Sequence, residues 1–299
     1  MNVLELKHVS KAFGNHKVLD DLSFEVSEHS IYGFIGRNGA GKTTTMKMIL
    51  GLLASDAGEI QVCGEKVRFG QNQTNRYIGY LPDVPEFYDY MTPMEYLTLC
   101  GKVTGMSAGE ITQRAEELLQ MVGLGEAKKR IRGFSRGMKQ RLGIAQALIN
   151  RPKLLICDEP TSALDPVGRK EILDILRLVR GETTVLFSTH ILSDVERVCD
   201  EIAFLHQGKI ALSGSVEEVK SRRKAGGFEV EFLTKEDARD FMREFNGGNI
   251  EGHCVRFADK SEKDMLDAMR FLAESQLKAQ RIEMLEPTLE DLFLEVTGA

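Results

Sequence analysis

A glycine-rich segment near the N-terminus has the residue types and the spacing that hold a phosphate group. Residues 36–43 read GRNGAGKT, which fits the pattern G-x-x-x-x-G-K-[ST] in full. Glycines let successive backbone N–H groups converge on an anion, and a following helix points its positive end at the same group. Lys42 offers a mobile charge to the β- and γ-phosphates, and Thr43 offers a hydroxyl to magnesium. We expect the cofactor to be held by Gly36, Asn38, Gly39, Ala40, Gly41, Lys42, Thr43 and Thr44.

Two adjacent carboxylates supply the second part of such a site. The segment LLICDEP predicts a buried strand, Leu154 to Cys157, that delivers Asp158 and Glu159 at its C-terminal end. Open α/β sheets bind ligands at that end of their strands. We expect Asp158 to accept from the water shell of magnesium and Glu159 to act as the general base that polarises the attacking water. An apolar strand ending in Asp-Glu is common, so this interpretation depends on the glycine-rich segment.

A second segment suited to an anion lies far along the chain, at residues 133–148, and reads GFSRGMKQRLGIAQAL. Apolar residues recur at helical spacing after Ser135, which is a plausible N-cap for a helix. A helix N-terminus that carries Ser135 and Gly137 favours a bound anion. Seven basic residues lie between Lys128 and Arg141, and they suit the rim of a phosphate-rich surface. The chain therefore contains two phosphate-binding segments, and their spacing alone does not say whether they bind the same phosphate.

Composition limits the classes of protein that the chain can be. Its 299 residues are 42% hydrophobic and 28% charged, as in a globular protein of one large or two unequal domains. A net charge of −6 argues against a general binder of polyanions. The longest apolar stretches are far shorter than the roughly 20 residues that span a bilayer. No basic segment followed by an apolar one opens the sequence, so we do not expect the protein to be exported. Five scattered cysteines without C-x-x-C spacing indicate reduced thiols rather than a zinc site or disulfides.

Hydrophobic periodicity indicates how these segments are positioned. Strand patterns open the chain, a helical region runs from about Thr92 to Asn150, and strands and helices then alternate, as in a largely parallel sheet covered by helices. Periodicity gives way to charge and paired glycines at residues 220–227. Beyond that point, three strand patterns alternate with three helical ones, and Thr288 can cap the last helix. We predict domains at 1–222 and 227–299, with a helical subdomain at about 88–150.

The motifs taken together resemble the ATP-binding subunits of ABC transporters. Five segments stand in that family's order and approximate spacing: GRNGAGKTT, FSRGMKQR, LLICDEP, SALD and STH. The tail EPTLEDLFLEVTG is similar to the accessory C-terminal domain of bacterial exporter ATPases that work with separate permease chains. The resemblance implies an α/β P-loop NTPase core with an N-terminal antiparallel β subdomain, a helical subdomain and a small α+β C-terminal domain. It also implies an ATPase using ATP and Mg²⁺ that acts from the cytoplasm, peripherally on the inner face of the membrane.

The resemblance assigns further roles. Phe13 stands where the family stacks an aromatic ring on adenine, although the residue alone is typical of a core position. His190 matches the histidine that senses the γ-phosphate, although it could equally be an ordinary loop residue. Ser135 and Gly137 match the signature, which in this family covers the ATP held by a second ATPase chain, here expected to be an identical copy. The SALD segment matches the loop that links the two ATP sites.

Two positions depart from the family's pattern. Arg136 replaces the middle glycine of the signature, which removes backbone freedom and adds a cation. Asp83 replaces the usual Gln that contacts magnesium and the attacking water, so we expect Asp83 to serve as a metal-side residue with a shorter reach and an added charge. The segment EFYDYMTPMEYL, which follows, resembles the surface that grips a permease helix, although its aromatic residues could instead anchor a loop.

Alternative functions remain open from the sequence. A soluble ABC ATPase acting on nucleic acid or ribosomes is favoured slightly by the basic run, but the acidic net charge and the single ATPase unit oppose it. A nucleotide-sensing regulator without hydrolysis would be expected to lack the base, and Glu159 is present. We therefore favour an exporter ATPase that binds a permease and not nucleic acid. The sequence does not identify the cargo, the permease, the second ATPase chain or the role of the C-terminal domain.

Overall fold

The computed structural model describes residues 2–71, 73–221, 227–258, 260–275, 277–285 and 288–297. The chain divides into two compact units, Met1–Val216 and Glu217–Ala299. The division lies a few residues before the predicted end of the first domain at 222, and residues 222–226 of the predicted boundary lie outside the described part. Strands and helices are mixed in both units, which confirms the predicted α/β class. No helix among the described residues is long and apolar enough to cross a membrane.

The described residues form fourteen strands in three sheets. In chain order the strands are β1 (Asn2–Phe13), β2 (His16–Ser27), β3 (Ile31–Ile35), β4 (Ala57–Val62), β5 (Glu65–Lys66), β6 (Ile78–Leu81), β7 (Leu154–Asp158), β8 (Thr184–Thr189), β9 (Glu201–His206), β10 (Lys209–Ser215), β11 (Phe228–Phe232), β12 (Asn249–Glu251), β13 (Cys254–Phe257) and β14 (Ala279–Met284). The first unit contains the sheets β2-β1-β4-β5 and β10-β9-β3-β8-β7-β6, and the second contains β12-β13-β11-β14.

The helices of the described residues are α1 (Lys42–Ile49), α2 (Pro93–Val103), α3 (Ala108–Met121), α4 (Arg136–Ala147), α5 (Pro166–Val179), α6 (Leu192–Val198), α7 (Val216–Ser221), α8 (Lys235–Glu244), α9 (Glu262–Glu274) and α10 (Leu289–Thr297). Short 3₁₀ turns occupy Gln73–Tyr77 and Ile131–Gly133. The expected helical stretch between Thr92 and Asn150 is therefore α2, α3 and α4 separated by turns.

The sheet β2-β1-β4-β5 is antiparallel throughout. The segment GEIQVCGEKV, whose apolar residues predict a strand, is the hairpin β4–β5. Cys63 and Gly64 both have positive φ, 51° and 75°, and two consecutive residues in that region form the tight turn that reverses a strand. Val62 consequently lies opposite Glu65. The strand expectation was therefore correct for the residues on each side and wrong for their continuity.

The six-stranded sheet positions the predicted site. Its strands β9, β3, β8, β7 and β6 run parallel, and β10 is antiparallel at one edge. Every residue of β3, β7 and β8 is buried, which explains why these segments read as continuous apolar runs. Because parallel strands end at one edge, the residues after β3, β8, β7 and β6 converge there. These residues include the glycine-rich loop, His190, Glu159 and Asp83.

The helices of the region 88–150 begin at side-chain caps. Thr92 and Glu95 form a reciprocal capping box at α2, and Ser107 and Glu110 form one at α3. Four apolar residues of α3 recur at helical spacing and are buried: Ile111, Ala115, Leu118 and Leu119. At α4, Ser135 Oγ accepts from the Met138 N–H, as expected of an N-cap.

The second unit has its own core. Its four-stranded antiparallel sheet packs a cluster of buried phenylalanines, formed by Phe228, Phe232, Phe241 and Phe257. Thr288 accepts from the Asp291 N–H at the start of α10, so the predicted cap is present. The hairpin strand β12 was not predicted, because its three residues are all exposed and carry no apolar alternation.

Candidate functional site

The glycine-rich loop leaves the end of β3 and turns directly into α1. Gly41 has φ 112°, and a Cβ there would lie 2.7 Å from Leu19 Cδ2, so both backbone conformation and packing require glycine. Gly39 has φ 82°, and a Cβ there would meet nothing within 4 Å. The loop is thus fixed by packing beneath Gly41 and open above Gly39, which leaves room for an anion over its N–H groups.

Lys42 is buried inside this loop, with its side chain only 6% exposed. Its Nζ donates to the Gly36 carbonyl oxygen at 2.6 Å and lies 3.0 Å from Glu159 Oε1. The Oε1 atom has no hydrogen-bond partner among the described residues, so this contact is an ion pair without hydrogen-bond geometry. The lysine charge is therefore balanced by the carboxylate, and a bound phosphate would compete for the same cation.

Asp158 is held at the end of β7 by two hydroxyl groups. Thr43 Oγ1 donates to Asp158 Oδ2 at 2.8 Å, and Ser188 Oγ donates to Asp158 Oδ1 at 2.6 Å. The hydroxyl and the carboxylate predicted for the metal thus lie in direct contact. Hard oxygen ligands of this kind suit Mg²⁺, which usually takes one or two carboxylates and keeps several waters.

Glu159 lies between Lys42 and His190. Its Oε2 accepts from His190 Nδ1 at 2.9 Å. Its own φ is 49°, a left-handed conformation that a residue with a side chain adopts at a cost. Its N–H donates to both the oxygen of the Ser188 carbonyl and Ser188 Oγ. The backbone is therefore held in a strained turn that points the carboxylate toward Lys42 and His190.

A pocket of about 480 Å³ gathers most of the predicted residues. Ten of the residues that were predicted from the sequence line it: Asn38, Gly39, Gly41, Lys42, Thr43, Thr44, Asp83, Asp158, Glu159 and His190. Five predicted residues do not line it: Phe13, Gly36, Ala40, Ser135 and Gly137. Gly36 still contributes, because its carbonyl binds Lys42. Val18, Arg37 and Ser162 complete the lining.

Phe13 lies at the end of β1 with half of its surface exposed, 51%. The alternative interpretation of this residue as part of the core is therefore wrong. Lys11 Nζ lies 5.5 Å from the centroid of its ring, within the range of a cation–π contact. The exposed ring is available for stacking, although the ring itself does not line the pocket.

Asp83 enters the pocket from the loop after β6. Partial burial raises the pKa of its carboxyl group, and Asp158 and Glu159 raise it further, while Arg136 opposes them. Sequence reasoning assigned Asp83 to the metal side but missed its contact with Arg136, whose Nη2 lies 3.3 Å from Asp83 Oδ1. It also missed Ser188, which bonds both Asp158 and Glu159. The only available signal for Ser188 was its place next to His190 in STH.

Ser135 and Gly137, at the start of α4, do not line this pocket. Gly137 has no positive φ, and a Cβ there would come no nearer than 3.9 Å to Leu164 Cδ2. Neither the backbone nor the packing of this chain therefore requires glycine at 137. Glycine within a helix costs up to about 1 kcal/mol relative to alanine, so its presence here calls for another explanation.

An aromatic groove lies beside the loop after β6. Tyr88 and Tyr90 are 54% and 63% exposed, and Tyr88 packs edge-on against Tyr96. The groove, of about 540 Å³, continues along α2 to Val103, which is 79% exposed. Tyr96 is buried and packs against Phe87 and Tyr88, whereas Tyr88 and Tyr90 are largely exposed.

A different cluster occurs in the second unit. Ligand atoms of Glu231, His253 and Cys254 lie within 4.8 Å of one another. Arg281 Nε already lies 3.3 Å from Glu231 Oε2, and burial raises the pKa of the Cys254 thiol. A guanidinium beside the carboxylate and a protonated thiol both oppose a bound cation.

Comparison with known proteins gives a consistent family. Residues 19–162 match the family described as ABC transporter. The bacitracin transport ATP-binding protein BcrA of Bacillus licheniformis is 35% identical over 304 residues, covering 99% of this chain and 97% of BcrA. The uncharacterized ABC transporter ATP-binding protein YxlF of Bacillus subtilis (strain 168) is 44% identical over 227 residues, or 76% of this chain and 75% of YxlF.

A solved structure agrees with these relatives. It is described as an ATP binding subunit of an ABC transporter, and it matches with a TM-score of 0.67 and 33% sequence identity. The match covers 74% of this chain and 92% of that structure. The likeness to BcrA extends through nearly the whole chain.

Proposed function

Since the chain belongs to the ABC transporter family as an ATP-binding, ATP-hydrolysing subunit, we propose that it powers export through a separate membrane permease. The observation that carries this proposal is the meeting of Lys42, Asp158, Glu159 and His190 around one pocket. The relative named for bacitracin transport aligns along almost the whole chain, including the C-terminal unit, which favours transport over a soluble ATPase acting on nucleic acid. The chain would then work at the cytoplasmic face of the membrane.

Nucleotide binding would begin with an exchange of partners at Lys42. The ammonium group now balances Glu159 at 3.0 Å. The phosphates of ATP, seated on the N–H groups around Gly39, would draw it away, because phosphate oxygens carry more charge and several acceptors. Glu159 would then lose its cation and become a stronger base at the moment its substrate is present.

The residues around Asp158 fit a magnesium ion. Thr43 Oγ1 and Asp158 Oδ2 lie 2.8 Å apart, and Asp83 lines the same pocket. We propose that these three residues hold Mg²⁺ directly or through its waters. When bound, the ion would neutralise part of the charge on the phosphates.

Hydrolysis would depend on Glu159 and His190. Glu159 would orient the attacking water and accept its proton. His190, 2.9 Å from Glu159 Oε2, would hold that carboxylate in place and report whether the γ-phosphate is present. The Ser188 hydroxyl group would hold both acidic residues in place, because it donates to the Asp158 carboxylate and accepts from the Glu159 N–H. The contacts of Glu159 with His190 and Ser188 are made by the protein's own side chains and backbone, which favours a preorganised site.

The signature would complete the site of a second ATPase chain, which we propose is an identical copy. Ser135 and Gly137 do not line the pocket of their own chain, and Gly137 has no packing reason to be glycine. The N-terminus of a helix favours an anion, and the phosphates of a second chain's ATP would supply one here. Two such chains, related by a twofold axis, would each cover the ATP bound by the other.

The groove lined by Tyr88 and Val103, together with the exposed Tyr90 that packs against Tyr88, is proposed as the permease contact. It is exposed and apolar, and it adjoins the loop that carries Asp83 into the pocket. A permease helix seated there would be mechanically close to the metal side of the site. Events at the nucleotide would then reach the membrane protein through residues 81–90.

Two substitutions test the assignment of roles. Glu159→Gln should leave ATP binding intact and reduce hydrolysis by about 10²–10⁴-fold, the usual contribution of a general base. Lys42→Ala should instead weaken nucleotide binding itself. Glu116→Gln, on the exposed face of α3, is the matched control and should leave both quantities unchanged. Wild-type turnover by Glu159→Gln would remove this residue from the chemistry and with it the proposed mechanism.

A further inference from the structure

The two positions that depart from the family's pattern contact each other. Arg136 and Asp83 are 53 residues apart in sequence, and Arg136 Nη2 lies 3.3 Å from Asp83 Oδ1. Their side chains are 43% and 47% exposed, so the pair lies at the rim of the pocket. The arginine that stands in place of glycine therefore faces the aspartate that stands in place of glutamine. The added cation balances the added anion.

Further contacts fasten the same two segments together. Gln140, one turn after Arg136 on α4, is fully buried and donates through Nε2 to the Asp83 carbonyl oxygen at 2.6 Å. Gly143, almost one turn further along, packs so closely that a Cβ would lie 2.5 Å from Leu81 Cδ1 and 3.4 Å from Pro85. One face of α4 thus lies along residues 81–85. The backbone of Asp83 is fixed, and only its carboxylate is free to change partners.

The carboxylate of Asp83 lies between Arg136 and the pocket. On one side is Arg136, at the first residue of the signature helix. On the other is the pocket, where Asp158 and Glu159 repel it while no cation is bound. A magnesium ion held by Thr43, Asp158 and Asp83 would offset that repulsion, because it would supply a positive charge to the carboxylates that face it.

We propose that Arg136 is a positioning residue that competes with the magnesium ion for Asp83. The pair holds the Asp83 carboxylate at the rim, and Asp83 would have to leave Arg136 in order to help hold the ion. When nucleotide and metal occupy the pocket, the ion pair that holds the start of α4 to residue 83 of the same chain would therefore be lost. This inference rests on the proposed Mg-ATP site.

The test is a double-mutant cycle read out by binding rather than turnover. In a Glu159→Gln background, the Mg²⁺ concentration at half-maximal ATP binding is measured by equilibrium dialysis. An exposed ion pair is worth about 0.2–1 kcal/mol, which corresponds to a change of about 1.4- to 5-fold. Arg136→Gln should lower the required Mg²⁺ by that factor when Asp83 is present. In the Asp83→Asn background, Arg136→Gln should have no effect.

Controls separate this role from a general effect of charge. Lys139→Gln removes a positive charge from the same helix, at a residue that pairs with Asp89 instead, and should not change the Mg²⁺ requirement. Arg136→Lys keeps the cation and should stay near the parent protein. An equal effect of Arg136→Gln with and without the Asp83→Asn substitution would overturn the inference while leaving the site itself intact. Failure of the Glu159→Gln parent to bind ATP would instead contradict the proposed function.

Discussion

Replacing Gly137 by alanine should make the protein more stable and less active. Gly137 is the second residue of α4, its φ is not positive, and a Cβ would meet only Leu164 at an ordinary 3.9 Å. Alanine removes conformational entropy from the unfolded chain and raises helix propensity, for a gain of about 0.5–1 kcal/mol in the free energy of unfolding. In a unit of this size, that gain corresponds to a rise in Tm of roughly 1–4 °C.

Activity should move in the opposite direction. If the N–H groups around Gly137 approach the phosphate of ATP held by a second chain, a methyl group there would push the phosphate away. Loss of such a donor costs about 10²–10³-fold in rate at comparable anion-binding sites, so we expect ATPase activity to fall at least tenfold. Thermal melting and steady-state phosphate release measure the two effects on one preparation.

Gly109 offers a matched control, because it is the second residue of α3, is exposed, and would have nothing within 4 Å of a Cβ. Gly109→Ala should give a similar rise in Tm with unchanged ATPase activity. Full activity in Gly137→Ala would refute the idea that an anion approaches this backbone. A lowered Tm would show that the site is more crowded than the contacts indicate.

Two further predictions concern support for the site and the independence of the units. Ser188→Ala should lower ATPase activity about tenfold or more while ATP binding persists, because Asp158 and Glu159 lose a shared hydroxyl partner; unchanged hydrolysis would show that the strand alone positions them. A chain of residues 1–221 should fold and bind ATP, since an apolar cluster between Val3 and Ile210 forms within the first unit. Aggregation of that truncated chain, or loss of its nucleotide binding, would contradict the division into self-sufficient units.

Residues whose role depends on local spacing were predictable. The glycine-rich loop, the strand that ends in Asp158, and the cap at Ser135 follow from neighbours in the sequence, where turn, strand and helix signals are strongest. Membership of the family was likewise readable from the order of the motifs. The hairpin turn at Cys63 and Gly64 was missed because an apolar alternation continues on both sides of it.

Contacts between distant segments were not predictable from spacing. Ser188 bonds Asp158 across two neighbouring strands, and the sequence does not state which strands become neighbours. The pair of Arg136 and Asp83 similarly depends on α4 lying along residues 81–85. Each departure could be noticed alone, but only the fold shows that the two opposite charges meet.

The central claim is that the signature of one chain serves the ATP held by another. Ser135→Arg and Lys42→Ala should each be inactive alone, and mixing them allows subunits to exchange. Random exchange yields about half mixed dimers, each with one intact site of two, so activity should recover to about a quarter of wild type if sites act independently. A mixture that contains mixed dimers by cross-linking, yet stays as inactive as either parent, would contradict completion of independent sites between chains.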